Sequence, residues 1–199
     1  MVYREGMAAR EIVPGVDQLK ALTHPVRVRM LGLLRVDGPA TATTLAARLG
    51  INSGATSYHL RQLAQHGFIE DDESRGNGRE RWWRAAHQFT VTGDDRVPDT
   101  ADGQETLSAY LQTVVTIYTQ QLQAALEERE LIAKEWREVF DLNDRVVRLT
   151  PRQAHHLGEQ VNKIVLGFED DPDGEPVAVQ FHTYALPGHL DTDPSDGER

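Results

Sequence analysis

The sequence predicts a mainly helical α+β fold, in which short helices and one β-hairpin come first and a long helix and a small β-α-β element follow. Apolar residues recur with helical spacing through residues 16–66 and again through 105–140. Strand-like runs flank a glycine-rich turn at 75–79 and return on both sides of a further helical segment after residue 141. With 199 residues, of which 39% are hydrophobic, the chain is long enough for one or two small globular domains.

Two helices are predicted to open the first domain, which spans residues 16–90 after an N-terminal extension at 1–15. Their helically spaced apolar residues are Leu19, Leu22, Val26, Met30, Leu31, Leu33 and Leu34. His24-Pro25 marks the boundary between the two helices, because proline is tolerated in a first helical turn.

Residues 43–66, TTLAARLGINSGATSYHLRQLAQH, contain two more helical patterns, which meet at a turn that contains glycine. The apolar residues that would form their shared core are Ala46, Leu49, Ile51, Leu60 and Leu63. The polar face of the second helix is then free, and it carries short hydrogen-bonding groups followed by the cation Arg61. Such a face suits the major groove of DNA.

A β-hairpin is predicted after this pair of helices. Phe68-Ile69-Glu70 is a strand-like run, RGNGR at 75–79 is a glycine-rich turn, and residues 80–84 resume the strand pattern. Trp82 and Trp83 are neighbours on the second strand and point to opposite faces, so one is expected in the core and the other outside it or beneath another element.

The order helix, helix, helix, turn, helix, hairpin across residues 16–86 resembles the winged-helix domain of ArsR-type bacterial transcriptional regulators. The matching segments are LKALTHPVRVRMLGLL, TATTLAARLGINSGATSYHLRQLAQHGFIE and the hairpin that ends near Trp83, together little more than a third of the chain. The resemblance implies that the segment from Ser53 to Arg61 is a recognition helix and that dimers bind inverted-repeat operators, commonly repressing until an effector arrives. Because the chain has no cysteine, a thiolate sensor for arsenite, cadmium or a similar soft metal is excluded.

The resemblance also assigns roles within the recognition helix. The positions implied to face base edges are Ser53, Gly54, Ser57 and Tyr58, with Thr56 and His59 as their neighbours. Arg61 suits a phosphate clamp better than a base contact. Gly54 departs from the side-chain donor usual at its position, and either close backbone approach or weak specificity would explain it.

The hairpin, or wing, offers three more DNA-binding candidates, Arg75, Arg79 and Arg81. They could grip phosphates or enter the minor groove, and we favour such contact. The alternative is a solvated hairpin in which these cations balance the acidic run at residues 70–73.

The net charge of −10 is unevenly distributed. Residues 16–90 hold ten Lys and Arg against seven Asp and Glu, a balance of +3, whereas residues 91–199 hold nine against twenty-two, a balance of −13. Attraction to phosphate depends on the local patch, so an acidic second half is compatible with a DNA-binding first half.

Residues 91–104, rich in Asp, Gly, Thr and Pro, are predicted to be a linker. A long helix is expected at 105–140, and its near-heptad apolar stripe is Leu107, Leu111, Val114, Tyr118, Leu122 and Leu126. Such a seam needs a partner surface, and a second copy of the same helix is the economical one.

A β-α-β element is predicted at 141–186, with strands at 145–149 and 177–185 around a helix at 152–168. It could serve dimerisation or form an effector pocket. The polar tail at 187–199 is expected to be disordered. His155, His156 and Glu159 raise the question of a metal site, but adjacent histidines cannot share a helix face, so none is predicted.

The sequence lacks a GxSxG elbow, a P-loop and a dinucleotide-binding turn, so neither an enzyme nor a cofactor is expected. It also lacks a membrane-spanning run and a secretory signal, and a cytoplasmic location is expected. The hypothesis is a homodimeric, sequence-specific repressor that binds a pseudo-palindromic operator in double-stranded DNA and answers to a small-molecule effector. The alternative is a protein-interaction module that combines a winged-helix scaffold with an acidic C-terminal half.

Overall fold

The computed structural model describes residues 11–75, 80–93, 96–169, 171 and 173–190. They fall into two units, of which the first ends at Ala133 and the second begins at Lys134. The first unit contains the helices α1 (Val16–Leu22), α2 (Pro25–Val36), α3 (Ala42–Leu49), α4 (Ser53–Gln65) and α5 (Ala101–Glu128). Its strands are β1 (Glu11–Ile12), β2 (Ala40–Thr41), β3 (Ile69–Asp71), β4 (Trp82–Ala85) and β5 (Phe89–Thr90).

Local side-chain caps define where the short helices begin. The Nδ1 of His24 accepts a hydrogen bond from the Val26 amide at 3.2 Å, with Pro25 as the first residue of α2. The hydroxyl of Thr41 caps α3 and the side-chain oxygen of Asn52 caps α4. These caps satisfy amide groups that have no acceptor within their own helix.

A three-stranded antiparallel sheet holds the hairpin, with β4 between β2 and β3. Trp83 on β4 is opposite Ala40 on one side and Asp71 on the other. Its ring is buried in the core, whereas Trp82 is partly exposed, so the two rings take the opposite environments that the sequence predicts.

The core of the first unit joins α1, α2, α3 and α4 to the sheet and to the N-terminal half of α5. Its most deeply buried side chains are Leu19, Leu22, Met30, Leu31, Leu45, Leu60, Leu63 and Phe68. Leu107 and Tyr110 bring α5 into this core, and burial raises the pKa of Tyr110 to about 12. Thr113 continues this face of α5 and donates a hydrogen bond to the Thr23 carbonyl at 3.0 Å.

The long helix is present but has other limits than the predicted 105–140. It begins at Ala101, inside the segment predicted as a linker, because Thr100 caps it and Gly103 allows the Pro98 carbonyl to approach. A Cβ at residue 103 would lie only 2.4 Å from that carbonyl oxygen. After Glu128 the chain makes a 3-10 turn at Arg129–Leu131, and nothing in the structure explains this interruption.

The second unit contains α6 (Lys134–Val139) and α7 (Pro151–Leu166). The helix of the predicted β-α-β element is therefore observed, and Thr150 and Gln153 form a capping box at its start. The flanking strands predicted at 145–149 and 177–185 are not found in the part of the chain that the structure describes. Alternating residues favour a strand only where another backbone supplies hydrogen bonds, and the residues of these segments are mostly exposed. The fold class, mainly helical with a hairpin and a long helix, is confirmed.

Candidate nucleic-acid interface

The turn between α3 and α4 fixes how the second helix is presented. Gly50 ends α3 in the left-handed region, at a φ of 64° that only glycine adopts without strain. Asn52 then starts α4, since its Oδ1 accepts from the Ala55 amide at 2.8 Å. The chain reverses within three residues, 50 to 52, and the two helices pack against each other.

The helix α4 has a buried face and an exposed face. Thr56, Leu60 and Leu63 point into the core. The predicted site residues on the opposite side are Ser53, Gly54, Tyr58 and Arg61, which are exposed, and Ser57, which is half-buried. The exposed face is polar and carries one aromatic ring, as a groove-reading helix requires.

Thr56 corrects the site predicted from the sequence. Its side chain is 0% exposed, and its hydroxyl donates to the Asn52 carbonyl at 3.0 Å. Residues 56, 60 and 63 follow the spacing of one helix face, so Thr56 belongs to the core of the domain. It supports the helix and cannot present its side chain to DNA.

Gly54 has a local reason that the sequence did not reveal. A Cβ at this position would lie 3.3 Å from the Oδ1 of Asn52, the atom that caps α4. A larger residue would push the capping side chain aside by a few tenths of an ångström. Glycine therefore leaves room for the cap and also keeps the exposed backbone at the start of α4 accessible.

His59 faces away from the most exposed side of α4. Its ring centroid lies 4.5 Å from that of His24 and 5.4 Å from that of Tyr58. Its Nδ1 is buried and has no hydrogen-bond partner within the described residues. Burial, and then the neighbouring His24 and Arg27, lower the pKa of His59 below its usual 6.5.

Two of the wing arginines, Arg75 and Arg81, are paired with acidic residues of the same hairpin. Arg81 forms an ion pair with Asp71 at 2.5 Å and lies over the ring of Trp83, 4.1 Å from its centroid. Arg75 lies 3.6 Å from Asp72 and contacts the ring of Trp82. The two ion pairs agree with the alternative interpretation of the sequence, in which the cations of the hairpin are balanced by neighbouring acidic residues and do not contact DNA.

Arg79, the third wing candidate, lies outside the described residues. Glu80, the next residue, accepts a hydrogen bond from Thr43 of α3 at 3.2 Å. This contact ties the segment just before β4 to α3, the helix that precedes α4.

Two residues that position the interface were missed by sequence reasoning. Arg35 of α2 donates to the His87 carbonyl and to the Thr90 hydroxyl, each at 3.0 Å, and so joins α2 to the segment after the wing. Burial lowers the pKa of Arg35 to about 10. His24 was noted only as a boundary, although a histidine directly before a proline at a helix start could have suggested a cap.

The histidines of α7 contact a single carboxylate. His155 and His156 lie 3.4 Å and 3.5 Å from the two oxygens of Glu159, and all three side chains are exposed. Neither these three side chains nor any other group of three or more His, Cys, Asp or Glu within the described residues is arranged to hold a metal ion. In that same part of the chain, no helix combines the length and the apolar character needed to cross a membrane.

Part of this domain matches a known protein family. A family described as "Helix-turn-helix domain" matches residues 22–72, which cover α2, α3, α4 and β3. No curated protein matches the chain.

Several solved structures are similar to parts of the chain. A "possible transcriptional regulator for arsenical resistance" is 25% identical, covers 64% of this chain and 98% of its own, and has a TM-score of 0.31. ZitR of Lactococcus lactis in an apo form is 15% identical over 71% of this chain and 83% of its own, with a TM-score of 0.33. The regulator Tm0710 of Thermotoga maritima is 13% identical over 75% of this chain and 84% of its own, with a TM-score of 0.31.

The matched helix-turn-helix, followed by the hairpin β3–β4, defines a winged helix-turn-helix domain. The matched family and the observed elements support the resemblance to ArsR-type regulators for this domain, and a winged helix-turn-helix of this kind indicates DNA-binding transcription regulation.

Proposed function

We propose that the chain is a homodimeric, sequence-specific repressor, in which α4 of each copy reads the major groove of one half of a pseudo-palindromic operator. The observation that carries this proposal is the division of α4 into a buried face and an exposed polar face. Ser53, Gly54, Ser57 and Tyr58 are available to base edges, and Arg61 is available to a phosphate. Repression is proposed from the resemblance to ArsR-type regulators alone.

A second apolar stripe on α5 supports the homodimer. Leu107, Tyr110 and Ile117 face the core. The exposed stripe consists of Leu111, Val115, Tyr118, Leu122 and Leu126. It corrects the stripe predicted from the sequence, because Leu107 is buried in the core of its own domain, Val114 packs against that core, and Val115 is the exposed residue instead. Steps of three and four residues place this stripe on one side of the helix, where a second copy of α5 would cover it. Two copies joined in this way would be related by a twofold axis, as a pseudo-palindromic operator requires.

The wing is proposed to contribute less than α4. Arg75 and Arg81 are proposed to reach phosphates only where DNA competes with Asp72 and Asp71 for them. Arg79 remains a proposed phosphate contact. A small-molecule signal is proposed to control binding, because the resemblance to ArsR-type regulators implies an effector. The signal is proposed to act without thiolate chemistry, because the chain contains no cysteine.

The experiment is a fluorescence-anisotropy titration of the full chain with the DNA upstream of its own gene and with random DNA of equal length. We expect tighter binding to the upstream duplex, and affinities that fall steeply with salt for both. Equal affinities would contradict sequence-specific reading, and no binding to either duplex would contradict DNA binding itself. The latter result would favour the alternative of a protein-interaction module, which the balance of −13 in residues 91–199 supports.

A further inference from the structure

A row of three rings connects the start of α2 with the exposed face of α4. The rings of His24 and His59 are tilted by 49° with centroids 4.5 Å apart, and Tyr58 meets His59 edge-on at 5.4 Å. Tyr58 is 51% exposed on the face proposed to read DNA. The position of the exposed Tyr58 ring on α4 is thus linked to a half-buried contact behind it.

His24 is held from two sides. Its Nδ1 accepts from the Val26 amide at 3.2 Å, which fixes the ring against the first turn of α2. The carbonyl of the preceding residue, Thr23, accepts from the buried hydroxyl of Thr113 on α5 at 3.0 Å. The ring on which His59 rests is therefore placed by α2 and α5 together.

The surroundings of the two Nδ1 atoms disfavour protonated rings. A protonated imidazole donates from both nitrogens. In His24 a second N–H would point at the Val26 amide, which is itself a donor. In His59 a proton on Nδ1 would be buried with no acceptor within the described residues. Either protonation would put an unpaired donor inside the contact, which is costly.

The surroundings of the pair also oppose a positive charge. Arg27 faces it from α2 and Tyr58 from α4, while α5 approaches through the uncharged Thr113. No carboxylate is among the groups that act on either pKa in the described part of the chain. Burial is the main cause that lowers the pKa of His24 below 6.5, and Arg27 lowers it further. The pKa of His59 is lowered as well.

We propose that His24 is a positioning residue for the recognition helix α4: the neutral ring seats His59, and protonation of the pair unseats His59 together with Tyr58 and lowers the preference for operator over random DNA. This inference depends on the proposed function, DNA reading by α4. The expected effect differs from that of a histidine that contacts a DNA phosphate directly, because protonation of such a histidine would strengthen binding to every duplex.

The test uses the full chain and His24→Asn, because the Oδ1 of asparagine can replace the Nδ1 of His24 as the capping acceptor at the start of α2, while the ring and its proton are removed. His155→Asn on α7 is the matched control, since it removes an exposed histidine of the second unit. The probes are a duplex recovered by selection from random sequence and a scrambled duplex of the same length. Their affinity ratio is measured from about pH 8 to about pH 5.5, and the histidine pKa values are measured by NMR without DNA.

For the wild type and His155→Asn we expect the affinity ratio to fall on acidification, by up to about tenfold per pH unit once below the pKa of the pair if one proton is linked. His24→Asn should show a low ratio that no longer depends on pH, and the pKa of His59 should move up towards its usual value. A pKa of His59 that is unchanged in His24→Asn would overturn the inference. So would a wild-type ratio that stays constant with pH.

The two possible failures are distinguishable. A wild type that binds no duplex at any pH contradicts the proposed function, and with it the DNA part of the inference. The histidine titration then still decides whether His24 seats His59, because it needs no DNA. A wild type that binds the selected duplex with a pH-independent ratio contradicts the inference alone.

Discussion

The Nε of Arg81 lies 2.5 Å from the Oδ2 of Asp71, so the two neighbouring strands of the wing are joined by an ion pair. The side chains remain 58% and 36% exposed, so the pair is weak enough for a phosphate to compete with it. If Arg81 contacts DNA, it exchanges the carboxylate of Asp71 for a phosphate.

Release of Arg81 should strengthen binding to DNA of any sequence. We expect Asp71→Asn to raise the affinity for random duplexes about twofold to fivefold, the range that corresponds to an exposed ion pair. Glu73→Gln, measured by anisotropy at the same salt concentration, is the control, because it removes one negative charge from the same hairpin. Equal gains for both variants would mean that only net charge matters and that Arg81 does not reach DNA.

The exposed residues of α4 should separate into two kinds by their effect on binding. Arg61→Ala should weaken binding to the selected operator and to random DNA by the same factor, because a phosphate contact carries no sequence information. Ser57→Ala and Tyr58→Ala should instead reduce the ratio of the two affinities. Uniform losses for all three variants, measured by anisotropy, would contradict the assigned roles.

The buried position of Thr56 predicts a loss of stability without a change in specificity. Thr56→Val keeps the shape but removes the donor to the Asn52 carbonyl, which should lower the free energy of unfolding by about 1 kcal/mol. Urea denaturation measures this loss, and anisotropy should find the operator preference unchanged. If the preference changed while stability did not, Thr56 would belong to the reading face after all.

The stability of the domain should depend on pH through His24 and His59. Their pKa values are lowered in the folded state, so the unfolded chain, with its usual pKa of 6.5, binds more protons. The stabilisation that they contribute is fully present above pH 6.5 and is lost as the pH falls through their folded pKa values. Urea denaturation at a series of pH values should show a smaller decrease in His24→Asn/His59→Asn than in the wild type, and parallel curves would refute this linkage.

The exposed stripe of α5 should hold the dimer together. Leu122→Glu places a charge in the stripe and should yield monomers by analytical ultracentrifugation, because a desolvated carboxylate at an interface is costly. Gln123→Glu adds the same charge at the next, exposed position and should remain dimeric. Monomers in both variants, or dimers in both, would be evidence against this interface.

Much of the first unit could be predicted from the sequence because its signals are local. Pro25, Gly50 and the alternation around Trp83 each specify a boundary, a turn or a strand within a few residues. The burial of Thr56 was also accessible, since it shares a helical spacing with Leu60 and Leu63. Thr56 was instead predicted to be a site residue because its side chain is polar.

Other features depend on contacts between distant residues, and the sequence could not reveal them. His24 and His59, whose rings are in contact, are separated by 35 positions in the sequence. The segment that contains Gly103 has the composition of a linker, but Gly103 allows α5 to start beside the Pro98 carbonyl. The strands expected around α7 are not formed for the opposite reason, because their local pattern pairs with no neighbouring backbone among the residues that the structure describes.

Selection of bound sequences from random duplexes by the full-length chain tests the central claim most directly. The account predicts recovery of an inverted repeat whose half-sites are centred about 10 base pairs, one turn of DNA, or a multiple of it apart. Ser57→Ala should recover a repeat with altered bases and the same spacing. Recovery of no common sequence, or of a single site without symmetry, would contradict the reading of DNA by two copies of α4.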